Sequence, residues 1–433
     1  MIIILLANVS FLFSPREFPA DAIHKWGDFY IRLNQKMGVR VNGDAFAFVS
    51  LAIKPSILTE KNQLRQSRPG YIFAGNLLGS VIYGCTYPFR DKLEKFFQAR
   101  IADKYPTKEK EKIARWFAFY SAFVLLNIVV LVISLSLFDS LVTHFIGPWK
   151  VGSIRYLFLF LLVDNPVTKL FFWSPHVQVF NILTPLLLLY AGMQVSKYAG
   201  NKLRLFLLCG ASGILLLFYG SFLMLCPVLL FGYWNYLRLT NQSYRWQQAF
   251  TLFIMTFCFA LPVILWIGYL KLHGVPFYSA EVAEYRQFIW IADSLQQSAG
   301  DFFSALYTNS ILFMQSMGSL LVPAFFLVSA ILYCSINIGT TSLHTISAKL
   351  SRQAAQQMAF TFGTCLLFFW LLGYYADRLA LSFAPLIYFL AALYLNSSNP
   401  GWQFTLFLWI LALVWHVLLI FGNPTYFSPG YFN

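Results

Sequence analysis

The chain of 433 residues is 58% hydrophobic, 19% aromatic and only 11% charged, and its formal net charge is +14. A water-soluble fold of this size cannot bury so much apolar surface, so the composition excludes a soluble enzyme and predicts an all-α, polytopic integral membrane protein. The basic residues cluster between apolar runs, where they orient a chain in the membrane, so we predict no nucleic-acid partner.

The six cysteines lie in or beside apolar runs, without Cys-x-x-Cys spacing or a nearby histidine. Neither disulfides nor a zinc site is therefore predicted. The first apolar run, residues 1–13, has no basic start and no small-residue cleavage site, which argues against a removable signal peptide. Thirteen residues are also few for a membrane span.

Residues 14–68 form a long mixed segment, which we predict to be the first external loop. Its apolar residues recur at helical spacing, which predicts an amphipathic helix along the membrane surface. The next apolar run covers residues 70–87, and residues 88–115 then carry nine basic side chains against five acidic ones. Such an excess beside two spans is typical of a cytoplasmic loop. The residues at helical spacing are Ile23, Trp26, Tyr30, Leu33 and Met37.

The remaining apolar runs bring the prediction to about eleven spans with the N-terminus inside, and a twelve-span arrangement stays open. Residues 155–172 decide between the two. Their apolar stretch ends after eight residues, at Asp164, Asn165 and Pro166, and is too short to cross a bilayer, so we predict a re-entrant or half helix. The further spans lie at about 117–138, 177–195, 205–219, 221–237, 250–270, 310–336, 358–375, 379–395 and 404–421.

This topology places residues 271–309 outside as a second long loop. Its stretch SAEVAEYRQFIWIADSL has an apolar helical side and predicts a second interfacial helix, with Glu281 and Glu284 on its solvated side.

The topology itself is testable with a reporter fused after Lys104. We expect activity only from the reporter that works in the cytoplasm, because of the basic cluster around the fusion site. A reporter active on the outside would instead restore the twelve-span arrangement.

Four sequence motifs lie on the predicted outer face. Gly43-Asp44 precedes the aromatic run FAFVSLAI and then Arg65, Arg68, Pro69 and Tyr71. The turn SPHVQVFN opens a long span, the loop contains EYRQFIWIADSL, and Tyr375-Ala-Asp-Arg378 ends a late span. Over most of its length the chain resembles the GT-C superfamily of multispanning glycosyltransferases, of the mannosyltransferase and aminoarabinose-transferase type. These enzymes use sugars carried on polyprenyl phosphate or pyrophosphate.

The resemblance implies one GT-C-like transmembrane domain over residues 1–433, in a bacterial inner membrane. It also implies an inverting transfer, in which a carboxylate takes the acceptor's proton and cations stabilise the departing phosphate. Asp44 is the candidate base, with a helix N-cap as its structural alternative. Arg65, Arg68 and Arg378 are candidates for the lipid phosphate, because the guanidinium fork matches phosphate oxygens. Their alternative is interfacial snorkelling, or for Arg378 a pair with Asp377.

The remaining candidates for binding the donor or the substrate are His176, Glu281, Glu284 and Arg286. His176 has a structural alternative as a hydrogen-bonding residue at the start of a span, and the two glutamates as the solvated side of a surface helix. The family's metal-binding variant carries an Asp-x-Asp pair, and this sequence contains none. No cofactor is therefore predicted, and metal dependence stays open.

The predicted partners are a polyprenyl-linked sugar donor, membrane lipid, and a glycan, lipid or protein acceptor. Other classes remain as alternatives. A secondary transporter is expected to show an internal repeat and charges at mid-membrane, but here the charges lie at span ends. A polysaccharide polymerase or ligase is expected to collect arginines in a late outer loop, whereas the late loop has only Arg286. A scaffolding membrane protein is the third alternative.

Overall fold

The computed structural model describes residues 1–12, 29–32, 38–41, 43–101, 113–240, 246–338 and 352–421. Apart from one short hairpin, the elements are helices, which confirms the predicted all-α polytopic class. In the first half of the chain they are α1 (Ile2–Leu12), β1 (Phe29–Arg32), β2 (Gly38–Val41), α2 (Gly43–Ile53), α3 (Pro69–Thr86), α4 (Arg90–Ile101), α5 (Ile113–Ile146), α6 (Gly152–Val163), α7 (Pro166–Phe171), α8 (Phe180–Tyr198) and α9 (Lys202–Leu216).

The second half of the chain continues the same pattern of long apolar helices joined by short connections. Its helices are α10 (Leu225–Leu239), α11 (Trp246–Leu272), α12 (Ala280–Ala283), α13 (Ile289–Gln297), α14 (Ala299–Ser316), α15 (Leu321–Ile338), α16 (Arg352–Leu371), α17 (Asp377–Ala380), α18 (Ala384–Ser398) and α19 (Trp402–Phe421).

Eight helical stretches in the described residues are long and apolar enough to cross a membrane. The other three predicted spans are helices as well, α1, α3 and α9, of 11, 18 and 15 residues. They fall short of the length or the apolar character of the eight. The eight stretches are Ile113–Ile146, Val177–Tyr198, Gly220–Leu239, Trp246–Leu272, Ala299–Ile336, Ala354–Leu371, Asp377–Ser398 and Trp402–Ile420.

Burial separates inner from outer spans. In Val177–Tyr198 and Asp377–Ser398, 72% and 83% of the most apolar stretch is buried, against 22% in both Trp246–Leu272 and Trp402–Ile420. An apolar helix with few buried residues avoids exposing its side chains to water only in lipid, so the outer pair faces the bilayer. The two inner helices both begin beside the candidate site, which therefore rests on the best-packed part of the bundle.

Glycines allow neighbouring helices to approach closely. A Cβ at Gly213 in α9 would lie 2.0 Å from the carbonyl oxygen of Phe259 in α11, so only glycine fits there. Gly75 in α3 likewise accommodates the ring of Phe123 in α5. Without a hydrophobic force between helices in lipid, such close contact is a principal source of attraction.

The segment around Asp164 forms two short helices, α6 and α7, with the break at the predicted end of its apolar run. That the segment is re-entrant stays a prediction. Asn165 caps α7, since its Oδ1 accepts the Thr168 N–H at 2.9 Å. The break is tied to α19, where Trp415 Nε1 donates to the Asp164 carbonyl at 2.8 Å and His416 Nδ1 lies 2.8 Å from the Asp164 carboxylate. These bonds pair the Asp164 carbonyl and one of its carboxylate oxygens, which would be costly to bury unpaired.

The predicted interfacial helices are wrong in part. Tyr30 lies in β1, which pairs antiparallel with β2, whereas the other residues of that predicted apolar side lie outside the described residues. Residues 279–295 form not one helix but α12 and α13, separated by Arg286 and Phe288 with φ of 49° and 62°. Left-handed backbone at these two positions cannot continue a helix. Helix α14 begins at Ala299, within the residues predicted to form the second outer loop.

Candidate functional site

A cavity of about 330 Å³ lies where the starts of α2, α8 and α17 meet the end of α16. Its lining combines charged and polar side chains with apolar ones, so it offers contacts for both parts of an amphiphile. The charged and polar lining includes Asp44, Arg65, Ser67, Arg68, His176, Glu281 and Arg378. The apolar lining includes Leu216, Leu217, Val263, Phe368, Phe369 and Leu372.

Asp44 is placed by the first turn of α2, whose apolar side packs Phe48 against Tyr71 of α3 at a centroid distance of 5.1 Å. Its Oδ1 forms an ion pair with Arg65, and its Oδ2 lies 3.0 Å from His176 Nε2. The Asp44 side chain is 29% exposed, whereas that of Arg65 is 9% exposed. The carboxylate therefore reaches the cavity, while the groups that hold it are enclosed by protein.

The tautomer of His176 follows from its neighbours. The backbone N–H of Gln178 can only donate, and it lies 3.2 Å from His176 Nδ1, so Nδ1 is the acceptor. A neutral ring then carries its proton on Nε2 and donates it to Asp44. Burial, partly opposed by Asp44, lowers the pKa of His176 to about 4, so the ring is neutral at neutral pH. His176 thus orients Asp44 and has no spare proton to shuttle.

Glu281 turns into the cavity and is not on the solvated side of a surface helix, so that alternative is wrong. Its carboxylate forms an ion pair with Arg68 and accepts hydroxyl bonds from Ser67 at 2.9 Å and Ser279 at 3.0 Å. Burial alone would raise its pKa, but Arg68 and the hydrogen bonds more than offset this and lower the pKa below the ordinary value. Glu281 is therefore charged and holds Arg68 in place.

Arg378 reaches the cavity from the first turn of α17. Its Nη2 donates to the Tyr374 hydroxyl at 3.0 Å, and its backbone carbonyl accepts from Asn181 Nδ2 at 3.2 Å. The side chain is half-buried and lines the same cavity as Asp44, Arg65, Arg68 and His176. The structure thus brings together candidates that are separated by more than 300 residues in sequence.

Two predicted site residues do not join this cavity. Glu284 is exposed and accepts a hydrogen bond from the Tyr278 hydroxyl at 3.0 Å. The Arg286 side chain is 62% exposed, forms an ion pair with Asp293 and faces a separate shallow depression. The loop itself stays at the cavity, since Tyr285 and Gln287 on either side of Arg286 line it. Only the Arg286 side chain points elsewhere, at a residue whose left-handed backbone interrupts the predicted helix.

Sequence reasoning missed several polar residues of the site. Ser67, Gln178 and Tyr374 line the cavity, and Tyr219 places its ring 5.6 Å from the Arg68 guanidinium carbon. One signal for Gln178 was available, since a polar side chain two residues after His176 at the start of a span must find a buried partner. Tyr219 gave no such signal, because tyrosine is common at the ends of spans.

Comparison of the chain with protein-family models, curated proteins and solved structures finds no match. Its chemistry must therefore be argued from the site itself.

Proposed function

We propose that this protein is an inverting membrane glycosyltransferase of GT-C type. In this proposal it transfers a sugar from a polyprenyl phosphate or pyrophosphate carrier to a lipid, glycan or protein acceptor on the outer face of the membrane. The observation that carries the proposal is the lining of one cavity by a carboxylate, three arginines and an apolar wall. A polyprenyl-linked sugar presents the matching groups, an acceptor-facing sugar, an anionic phosphate and an apolar chain.

In the proposed step the acceptor hydroxyl oxygen attacks the anomeric carbon of the sugar. Asp44 receives the hydroxyl proton, the new glycosidic bond forms, and the carbon–oxygen bond to phosphate breaks with its electron pair leaving on the phosphate. The position of Asp44 supports this role, because its carboxylate lines the cavity and is 29% exposed there. A positioned base of this kind contributes roughly 10²–10⁴-fold to a rate.

The arginines supply positive charge where the leaving phosphate gains negative charge. Arg65 and Arg68 are held by Asp44 and Glu281, so both guanidinium groups are fixed before a donor arrives. Arg378 lines the same cavity. Such a preorganised arrangement lowers the barrier, because no charged group has to reorganise during the reaction.

The direct test uses the purified full-length chain in lipid vesicles with donors carrying a labelled sugar on polyprenyl phosphate or polyprenyl pyrophosphate. Lipid, glycan and protein acceptors are offered together. We expect label to enter an acceptor fraction while one free carrier phosphate is released for each sugar transferred. Label that accumulates unchanged inside the vesicles would indicate a transporter, and intact donor with every acceptor would contradict the proposal.

A further inference from the structure

Asn181 joins the two sides of the candidate site without lining the cavity. It lies in the first turn of α8 and is 1% exposed. Its Nδ2 donates to Gln178 Oε1 at 2.6 Å and to the Arg378 carbonyl at 3.2 Å, and its Oδ1 accepts from the Tyr219 hydroxyl at 2.7 Å. A single buried amide therefore bonds to three separate segments of the site.

The orientation of this amide is determined by chemistry. The Arg378 carbonyl can only accept, so the atom facing it must be the Asn181 amide nitrogen and not its oxygen. The Tyr219 hydroxyl must then donate to Oδ1. Both amide protons are used, so the side chain has one arrangement that satisfies every partner.

Each bond leads to a group that lines the cavity. Gln178 carries the backbone N–H that sets the His176 tautomer, and His176 in turn donates to Asp44. Tyr219 lies under the Arg68 guanidinium, and the Arg378 carbonyl belongs to an arginine that lines the cavity. Asn181 thus links the segment that carries His176 to Tyr219 and to the backbone of Arg378.

We propose that Asn181 is a positioning residue that sets the separation between Asp44 and the arginines Arg68 and Arg378, and so the fit of a phosphate head group. This inference rests on the proposed function. The inference concerns only the affinity for the phosphate head group. The apolar residues that would contact an isoprenoid chain lie in or beside α9, α11 and α16 and are not among the hydrogen-bond partners of Asn181.

The test compares farnesyl phosphate with farnesol as radiolabelled probes for equilibrium binding to the full-length protein. Asn181→Leu removes both donors without adding a charge. Asn181→Asp keeps the shape but presents only acceptors, so Gln178 can turn to donate while the Arg378 carbonyl cannot. Both variants should bind farnesyl phosphate about tenfold or more weakly, the scale on which a lost supporting bond misplaces a site. Their affinity for farnesol should stay within about twofold of the parent.

Asn235→Leu is the matched control, since Asn235 is an equally buried amide in α10 that does not line the cavity. It should leave the binding of both probes unchanged, with thermal unfolding measured for every variant. The inference would be overturned if the Asn181 variants lost affinity for farnesol and farnesyl phosphate equally. It would also be overturned if Asn235→Leu lost as much affinity for farnesyl phosphate as they do. A parent protein that binds both probes equally would contradict the proposed function, and with it this role of Asn181.

Discussion

Replacing Asp44 by Asn is expected to reduce glycosyl transfer by about a hundredfold or more, a loss typical of removing a positioned base. The amide keeps the size of the side chain and can still pair with His176, but it has no basicity for the acceptor proton. The measurement is the initial rate of label transfer in lipid vesicles at saturating donor. Because Asp44 also neutralises Arg65, the variant should lose some stability, which thermal unfolding will show.

Two controls separate chemistry from stability. Asp139→Asn breaks another arginine–aspartate pair, in which Arg155 donates to both Asp139 oxygens at 2.8 and 2.7 Å away from the cavity. It should keep near-normal transfer. The double variant Asp44→Asn with Arg65→Gln removes the uncompensated buried charge, so stability should recover while transfer stays low. Near-normal transfer in Asp44→Asn would show that Asp44 is not the base. A transfer rate that returns to the parent value in the double variant would show the same.

Replacing Arg378 by Ala is expected to reduce donor turnover by about 10²–10³-fold, the usual effect of deleting one group that stabilises transition-state charge. Arg378→Lys should lose much less, because an ammonium keeps the charge although it cannot form two parallel bonds to phosphate. The measurement is kcat and KM for the donor at a fixed acceptor concentration. A fall in kcat that is larger than the rise in KM would indicate that Arg378 acts on the leaving phosphate and not on ground-state binding.

Arg286→Ala is the matched control for this prediction, since it removes an exposed arginine that lies in the same predicted outer region but outside the cavity. Its donor kinetics should equal those of the parent. Asp377→Ala tests the structural alternative, in which Arg378 serves only as a partner of Asp377. A loss in Asp377→Ala as large as that in Arg378→Ala would favour this pair over a phosphate-binding role.

The sequence by itself determined the class of the protein and the places where its apolar runs end. Composition required a lipid environment, and the sequence Asp164, Asn165 and Pro166 predicted where the apolar run ends, which is where the structure separates α6 from α7. These features are local, because the hydropathy of a run and the backbone limits of proline do not depend on which helices lie beside it. The candidate residues Asp44 and Arg378 were likewise visible as charges at the ends of apolar runs.

Only the tertiary structure decided which of these charges meet. Arg65 and Glu281 looked like surface residues, yet one pairs with Asp44 and the other with Arg68, whereas Arg286 turns away at a left-handed residue. The described part of the predicted surface helix, Phe29–Arg32, is a strand, since a helical repeat of apolar side chains does not reveal a partner strand. In a chain that is apolar on nearly every side, hydropathy cannot tell a lipid-facing surface from a packed one. Pairing among polar groups depends on which spans become neighbours, so Asn181 could be recognised only once α8 and α17 were seen together.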